Sequence, residues 1–321
     1  MQMSLPWLIG FNAFVLAVLA IDLGVFHRKA HEIRLKEAIA WVVFWVALAM
    51  LFDLGILLGW FGTYPPEARP RAALEFLTGY LIEESLSVDN VFVFAVIFAY
   101  FAVPPSYQHR VLFFGILGAV VFRGAFIFMG LWLIEKFEWM MYLFGALLVV
   151  TGIKMGLTKD KEIEPQRNPV LRLTRKILPV TEGYRGTKFL TRIDGRLMAT
   201  PLLLILVFIE TTDIIFAADS IPAIMAISQD PFVVYTSNIF AILGLRALYF
   251  AVANFMRMFH YLHYGLAVLL VVIGCKMLGQ AAWHVKLPIQ ASLGLVAAIL
   301  GAAVVLSILR PPKEKCAPPE G

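Results

Sequence analysis

Apolar residues form nine long runs along the chain, and most are separated by short polar segments. A helix needs about 20 apolar residues to cross the hydrocarbon core of a bilayer, so these runs predict transmembrane helices. The predicted spans are 5–26, 38–60, 74–101, 111–134, 139–157, 200–228, 233–255, 261–278 and 289–309. The pattern therefore predicts an all-α, polytopic membrane protein of about nine helices.

One long connection, residues 158–199, interrupts the series of spans. It mixes both charge signs with three prolines and few apolar clusters, so we expect a solvated cytoplasmic connector, with a short helix around 170–177. The predicted units are two N-terminal helices (1–73), a three-helix repeat (74–157), the connector (158–199), a second three-helix repeat (200–278), and the last helix with its tail (279–321).

The third and sixth spans carry related acidic patterns. Glu83 is followed six residues later by Asp-Asn-Val at 89–91, and Asp213 is followed six residues later by Asp-Ser-Ile at 219–221. Pro222 adds a further irregularity, because proline removes a helical hydrogen bond and favours a break or kink. Spans with this combination are typical of discontinuous helices at transporter binding sites.

The similarity continues downstream of both patterns. Arg123 lies in LGAVVFRGAFIF and Arg246 in FAILGLRALYFA, and the segment 137–155 resembles the segment 259–277. Each unit contains three spans, and an odd number of crossings places the second copy upside down relative to the first. The sequence therefore predicts an inverted repeat of two three-helix units.

Composition excludes the soluble classes. The chain is 60% hydrophobic and 15% charged, with a mean hydropathy of +0.81. Its net charge of +5 comes from basic loops, so no nucleic-acid partner is expected. Nineteen Lys and Arg residues lie in one set of loops and the tail, against four in the other set. This bias predicts a multi-pass protein of the cell (inner) membrane, with the amino terminus outside and the carboxyl terminus in the cytoplasm.

Carboxylates are the candidate chemistry. The interiors of the predicted spans contain six of them, with only two mid-span cations, Arg123 and Arg246; the six are Glu83, Glu84, Asp89, Glu210, Asp213 and Asp219. Each carboxylate at the centre of a span costs about 2.5–3.5 kcal/mol on insertion scales, and unpaired ones take up protons. We therefore expect the site to hold a cation, protons, or each in turn. The alternative is a network that pairs acids with Arg123 and Arg246 and fixes helix packing.

Oxygen donors dominate this set. Residues six apart differ by about 120° on a straight helix, so a local unwinding would be needed to bring each acidic pair together. Neutral oxygens and carboxylates suit Mg, Ca or Mn, and the six histidines lie in loops or at the ends of spans. The candidate metal ligands are Glu83, Asp89, Asn90, Glu210, Asp213, Asp219 and Ser220. Glu210, flanked by apolar residues, is the candidate proton carrier.

These motifs resemble the TerC family of integral membrane proteins, including its Alx-like members. The resemblance lies in YLIEESLSVDNVFVF at 80–94, ETTDIIFAADSIPAI at 210–224, FAILGLRALYF at 240–250 and DLGVFHRKAHEIRLKEAIAW at 22–41. It implies a manganese exporter related to the lysine-exporter superfamily, with an association with tellurite resistance, and it implies metal binding at the candidate ligands. Relatives often have Lys beside the first Glu, where this chain has Glu84.

The leading hypothesis is a secondary transporter that exports Mn(II) or a similar hard divalent cation from the cytoplasm, coupled to protons, with a role in metal homeostasis or in tellurite or alkaline stress. The expected partners are the lipid bilayer, a divalent metal ion and protons, with no resident cofactor. A membrane enzyme is a second class, disfavoured because no nucleophile motif is present. A membrane subunit of a stress-resistance or redox-modulating complex is a third, and its redox role would be indirect because Cys275 and Cys316 suggest no pair.

Overall fold

The computed structural model describes residues 5–21, 35–157, 169–193, 195–252, 261–283 and 288–309. Ten helices and two short strands make up this part of the chain. The helices are α1 (Leu5–Ile21), α2 (Leu35–Leu58), α3 (Arg69–Tyr100), α4 (Pro105–Lys136), α5 (Met140–Leu157), α6 (Pro169–Ile177), α7 (Pro201–Met225), α8 (Pro231–Val252), α9 (Leu262–Trp283) and α10 (Ile289–Leu309). The strands are β1 (Leu190–Ile193) and β2 (Arg196–Ala199).

Each predicted span coincides with one of the long helices, which confirms an all-α polytopic membrane protein. Seven helices, α2, α4, α5 and α7 to α10, are long and apolar enough to cross a bilayer. Helix α1 is apolar but shorter, and α3 is long but carries several acidic residues. The described residues therefore provide seven helices suited to cross a bilayer, and the predicted number of nine is not confirmed. The predicted ends at 22–26 and 253–255 lie outside the described residues, as do most of the 22–41 motif, residues 158–168 and the tail from 310.

Proline occupies the first or second position of α3, α4, α6, α7 and α8. Its fixed φ suits a helix start, where its missing N–H costs no intrahelical bond. Pro222 is different, because it lies inside α7. The helix nevertheless continues to Met225, and α3 is also uninterrupted. The expected unwinding of these helices was therefore wrong. Unwinding would free several backbone groups in an apolar environment, whereas the proline removes only one bond.

The packing of the long helices follows the internal repeat. If α3–α5 correspond to α7–α9, a two-fold relation pairs α3 with α8 and α4 with α7, and it pairs α5 with its own counterpart α9. The structure contains these three contacts, α3 on α8, α4 on α7 and α5 on α9. The inner arrangement of the two units is therefore the one that a two-fold repeat requires.

Glycines show that the equivalent helices α5 and α9 run antiparallel. A Cβ on Gly274 would lie 2.8 Å from the carbonyl oxygen of Gly145, and a Cβ on Gly152 would lie 2.7 Å from that of Ala267. In the aligned segments Gly152 matches Gly274 and Gly145 matches Ala267. The two contacts are thus equivalent. Gly145 comes before Gly152 in α5, but Gly274 comes after Ala267 in α9, so the two helices run in opposite directions. This antiparallel, self-matching contact is what an inverted repeat predicts.

Helix α8 forms the centre of the bundle. Every residue from Phe232 to Tyr249 is buried, while α2, α3 and α4 pack around it. Asp230 begins the helix as its N-cap, since its Oδ1 accepts a hydrogen bond from the backbone N–H of Phe232 at 2.9 Å. Polar side chains on this helix are therefore held away from lipid by other helices.

The connector contains more structure than its composition suggested. Helix α6 agrees with the expected short helix and is anchored by buried Leu171. Strands β1 and β2 form an antiparallel hairpin with Ile193 opposite Arg196, which the sequence analysis did not predict. The dipeptide Asp-Gly at 194–195 is a hairpin signal, and Gly195 has a φ of +76°.

Candidate functional site

Arg123 and Asp213 form the centre of a buried polar cluster. Arg123, on α4, donates from Nε to Oδ2 of Asp213 at 3.0 Å and from Nη2 to Oδ1 at 2.7 Å. The planar guanidinium matches the carboxylate with two parallel hydrogen bonds, a geometry that gives both direction and strength. Since Asp213 is on α7, this ion pair joins the first repeat to the second.

Glu83 approaches the same guanidinium from α3. Arg123 Nη1 donates to Oε1 of Glu83, and Asn238 on α8 donates from Nδ2 to Oε2 at 3.1 Å. Ser220 Oγ and Asn238 Oδ1 each lie 3.5 Å from Nη1. The cluster therefore gathers side chains from α3, α4, α7 and α8, two helices from each repeat.

The cluster lies deep within its helices and is shielded from solvent. Glu83, Arg123 and Asp213 are at most 3% exposed. Asp213 is the central residue of α7, and Glu83 and Arg123 lie within one turn of the midpoints of α3 and α4. The cluster contains two carboxylates and one guanidinium, and Arg246 of α8 lines a cavity together with Asp213. Buried charges need partners, so departure of Arg123 from the carboxylates would favour the arrival of another cation or a proton.

A small cavity borders this cluster. Its volume is about 10 Å³, and its lining includes Asp213, Arg246 and the α4 residues Gly115, Ile116 and Ala119. A cavity of that size holds roughly one water molecule. A larger guest therefore needs the surrounding helices to move.

Asp89 and Asn90 lie further along α3. Oδ2 of Asp89 is 3.5 Å from Nδ1 of His263, and Nε2 of His263 is 2.8 Å from the carbonyl oxygen of Met155. The Asp89 side chain is 27% exposed, whereas Asn90 is buried. The straight helix turns Asp89 away from Glu83, towards α9 and the end of α5.

Asp219 and Glu210 occupy two further positions on α7. Oδ1 of Asp219 accepts a hydrogen bond from Thr151 of α5 at 2.9 Å. The Glu210 carboxylate fills the space beside Gly118 of α4, where a Cβ would overlap it. Within the described ranges, its buried Oε2 makes no hydrogen bond.

The predicted residues thus divide into two sets. Glu83, Asp213 and Ser220 meet at Arg123, whereas Asp89, Asn90, Glu210 and Asp219 lie elsewhere on the same two helices. Among the described residues, no group of three His, Cys, Asp or Glu side chains is close enough together to hold a metal ion. Glu83 and Asp213 instead pair with Arg123, as in the alternative hypothesis of a network between acids and arginines.

Sequence reasoning missed three contributors, Asn238, His263 and Thr151. Asn238 had a usable signal, because it is a polar residue within an apolar predicted span. His263 was set aside because it lies at the end of its predicted span. Helix α3 is 32 residues long, however, and places Asp89 beside His263. Thr151 has an isoleucine at the equivalent place in the second repeat, so the comparison of repeats hid its role.

The fold and the buried cluster define a class, a multi-pass α-helical membrane protein with an inverted repeat and an ionisable centre between its halves. Residues 68–315 match the model of the integral membrane protein TerC family, so the chain belongs to that family.

Three relatives illustrate the similarity. The "Uncharacterized membrane protein STKORF319" of Myxococcus xanthus is 48% identical over 301 residues, which cover 94% of this chain and 91% of the relative. The "Putative membrane-bound redox modulator Alx" of Salmonella typhi is 48% identical over 299 residues, covering 93% and 92%. The protein of the same name from Escherichia coli K12 is 49% identical over 295 residues, covering 91% and 90%. No solved structure matches the chain.

Proposed function

We propose that the protein is a secondary transporter that exports Mn(II), or a similar hard divalent cation, from the cytoplasm in exchange for protons. One observation carries the proposal. Glu83 and Asp213, which occupy equivalent positions in the two repeats, meet at a single buried point between them. Ionisable residues are costly inside a membrane, where they typically mark ion pathways.

The position of the cluster supports transport more than it supports catalysis. Inverted repeats let one half of a protein rock against the other, so that a site between them faces each side of the membrane in turn. The cluster is built from both repeats and lies at the middle of α7. Such a movement would change its contacts directly, whereas an enzyme has no need of the repeat.

The donor set supports a hard cation. Glu83 and Asp213 provide carboxylate oxygens, and Ser220 and Asn238 provide neutral ones, the ligands that Mg, Ca and Mn prefer. The choice of manganese and the outward direction rest on the family resemblance, as does a role in metal homeostasis or in tellurite or alkaline stress.

The remaining candidate ligands belong to other stages of the transport path in this proposal. Asp89 and Asn90 lie beyond Glu83 on α3, while Glu210 and Asp219 lie on either side of Asp213 on α7. Asp89 is partly exposed and so is the best placed of them to meet a cation that enters from water. Glu210 is the proposed proton carrier.

The proposal is tested by metal uptake into proteoliposomes that contain the purified protein, with Mn, Mg, Ca and Zn supplied one at a time. We expect saturable Mn uptake that an opposing proton gradient accelerates. Protein-free liposomes and the Asp89→Asn variant serve as controls, and both should fail to accumulate Mn. The proposal is wrong if the parent protein takes up none of the four cations above the protein-free level.

A membrane subunit of a redox-modulating complex is the second candidate, because two of the relatives above are named as putative membrane-bound redox modulators. Cys275 is a free, exposed cysteine in the described part of the chain, and the sequence suggests no cysteine pair, so we expect any redox effect to be indirect. The thiol state of a periplasmic reporter distinguishes the candidates. A redox effect that persists in the Asp213→Asn variant, without Mn transport, would favour this second function.

A further inference from the structure

All three nitrogens of the Arg123 guanidinium are directed at acceptors. Nε and Nη2 donate to Asp213, and Nη1 donates to Glu83, with Ser220 and Asn238 beside it. The side chain is fully buried. Arg123 is therefore a cation, carried by the chain itself, at the point where the oxygen donors of both repeats converge.

A divalent cation bound to both carboxylates would need the oxygens that Arg123 now holds. Asp213 uses both of its oxygens for the guanidinium. Two cations within about 4 Å of each other also repel strongly where the dielectric constant is low. Arg123 and a metal ion therefore cannot occupy this centre together in the observed geometry.

The packing links the exchange of these cations to helix movement. The neighbouring cavity of about 10 Å³ is too small to receive a guanidinium, and its lining comes partly from α4 and α7. Arg123 can move from the carboxylates into this space only if these helices shift relative to each other. Since α4 and α7 belong to different repeats, that shift is a movement of one repeat against the other.

We propose that Arg123 is a tethered competitor of the transported cation, which holds Glu83 and Asp213 between transport events and is displaced when a metal ion binds. This inference rests on the proposed transport function. The competitor lowers metal affinity and thereby promotes release, and it keeps two carboxylates from being buried without a partner.

The test is metal affinity, measured by calorimetry with MnCl₂ on the purified full chain, together with Mn transport in proteoliposomes. If Arg123 occupies the centre in at least nine of ten molecules, its removal should tighten binding by about tenfold or more. We expect Arg123→Gln to bind Mn more tightly and to transport it more slowly, since release is impaired. Arg123→Lys keeps the charge but lacks the planar fork, so the Mn affinity of this variant should lie between those of the parent and Arg123→Gln.

Lys276→Gln provides the matched control. It removes one positive charge from α9, where Lys276 donates to Ser292 at 2.8 Å, away from the cluster. Its Mn affinity should equal that of the parent, which excludes a general effect of charge.

The outcomes separate this inference from the function on which it rests. A parent that binds Mn, with Arg123→Gln binding equally or more weakly, shows a purely structural ion pair and overturns the inference alone. A parent that binds no divalent cation overturns the transport proposal as well. If Arg123→Gln does not fold, Arg123→Lys decides the question, because an affinity no tighter than that of the parent contradicts competition.

Discussion

Arg123 of α4 and Asp213 of α7 are 90 residues apart in the chain, yet they form a two-bond ion pair in the buried centre of the bundle. The pair connects the repeats at the middle of α7, and Glu83 extends it to α3. Because breaking a buried ion pair leaves a charge without compensation, we expect this contact to affect stability and, under the proposed function, the transport of cations.

Asp213→Asn should abolish Mn transport and also destabilise the protein by about 3 kcal/mol, because it leaves Arg123 with only Glu83 as a charged partner. The measurements are transport in proteoliposomes and unfolding by denaturant in detergent. Adding Arg123→Gln to this variant should restore neither stability nor transport, because Glu83 is then a buried carboxylate without its cation. Parent-like Mn transport by Asp213→Asn would show that the carboxylate is no ligand.

Gly152→Ala should destabilise the α5–α9 contact, since a Cβ at this position would lie 2.7 Å from the carbonyl oxygen of Ala267 and 2.9 Å from the backbone nitrogen of Val271. Overpacking against backbone costs about 1–3 kcal/mol. Thermal unfolding in detergent measures the loss. Gly156→Ala is the control, because its Cβ would meet Ala267 at an ordinary 3.5 Å. Equal stability of the two variants would contradict the close approach of these helices.

Metal binding should release protons from the parent protein, and Glu210→Gln should release fewer. The Glu210 carboxylate lies against Gly118, and a glutamine of the same shape fits this space, so we expect the variant to fold and to bind Mn within about threefold of the parent. Calorimetry in buffers of different ionisation enthalpy counts the protons released. An unchanged count in the variant would remove Glu210 from the proton path, and no release by the parent would rule out exchange for protons.

The topology is tested with single cysteines in a variant that lacks Cys275 and Cys316. Glu67, between α2 and α3, and Lys188, in the connector, are both exposed. If the connector is cytoplasmic, as the excess of basic residues predicts, a membrane-impermeant thiol reagent applied to intact cells should label Glu67→Cys and leave Lys188→Cys unlabelled. Labelling of Lys188→Cys alone would show the opposite orientation.

The sequence by itself was sufficient for the all-α, multi-pass architecture. Apolar runs of span length locate the long helices, because the bilayer requires about 20 apolar residues per crossing and leaves little choice of structure. The repeat was visible because the two units carry similar motifs in the same order. Equivalent helices keep equivalent packing residues, and the equivalent glycines Gly152 and Gly274 make matching contacts, Gly152 with Ala267 and Gly274 with Gly145.

Only the tertiary structure decided which polar residues meet. The acidic motifs identify Glu83, Asp89, Asp213 and Asp219 equally, but a straight helix can direct only part of each motif to the centre. The interpretation that unwinding would unite them overestimated the effect of Pro222 and underestimated the cost of free backbone groups in a membrane. The role of Arg123 depends on contacts across 40 and 90 residues, and Asn238 reaches Glu83 across 155. Such contacts are set by how α3, α4, α7 and α8 pack together, which hydropathy along a chain does not specify.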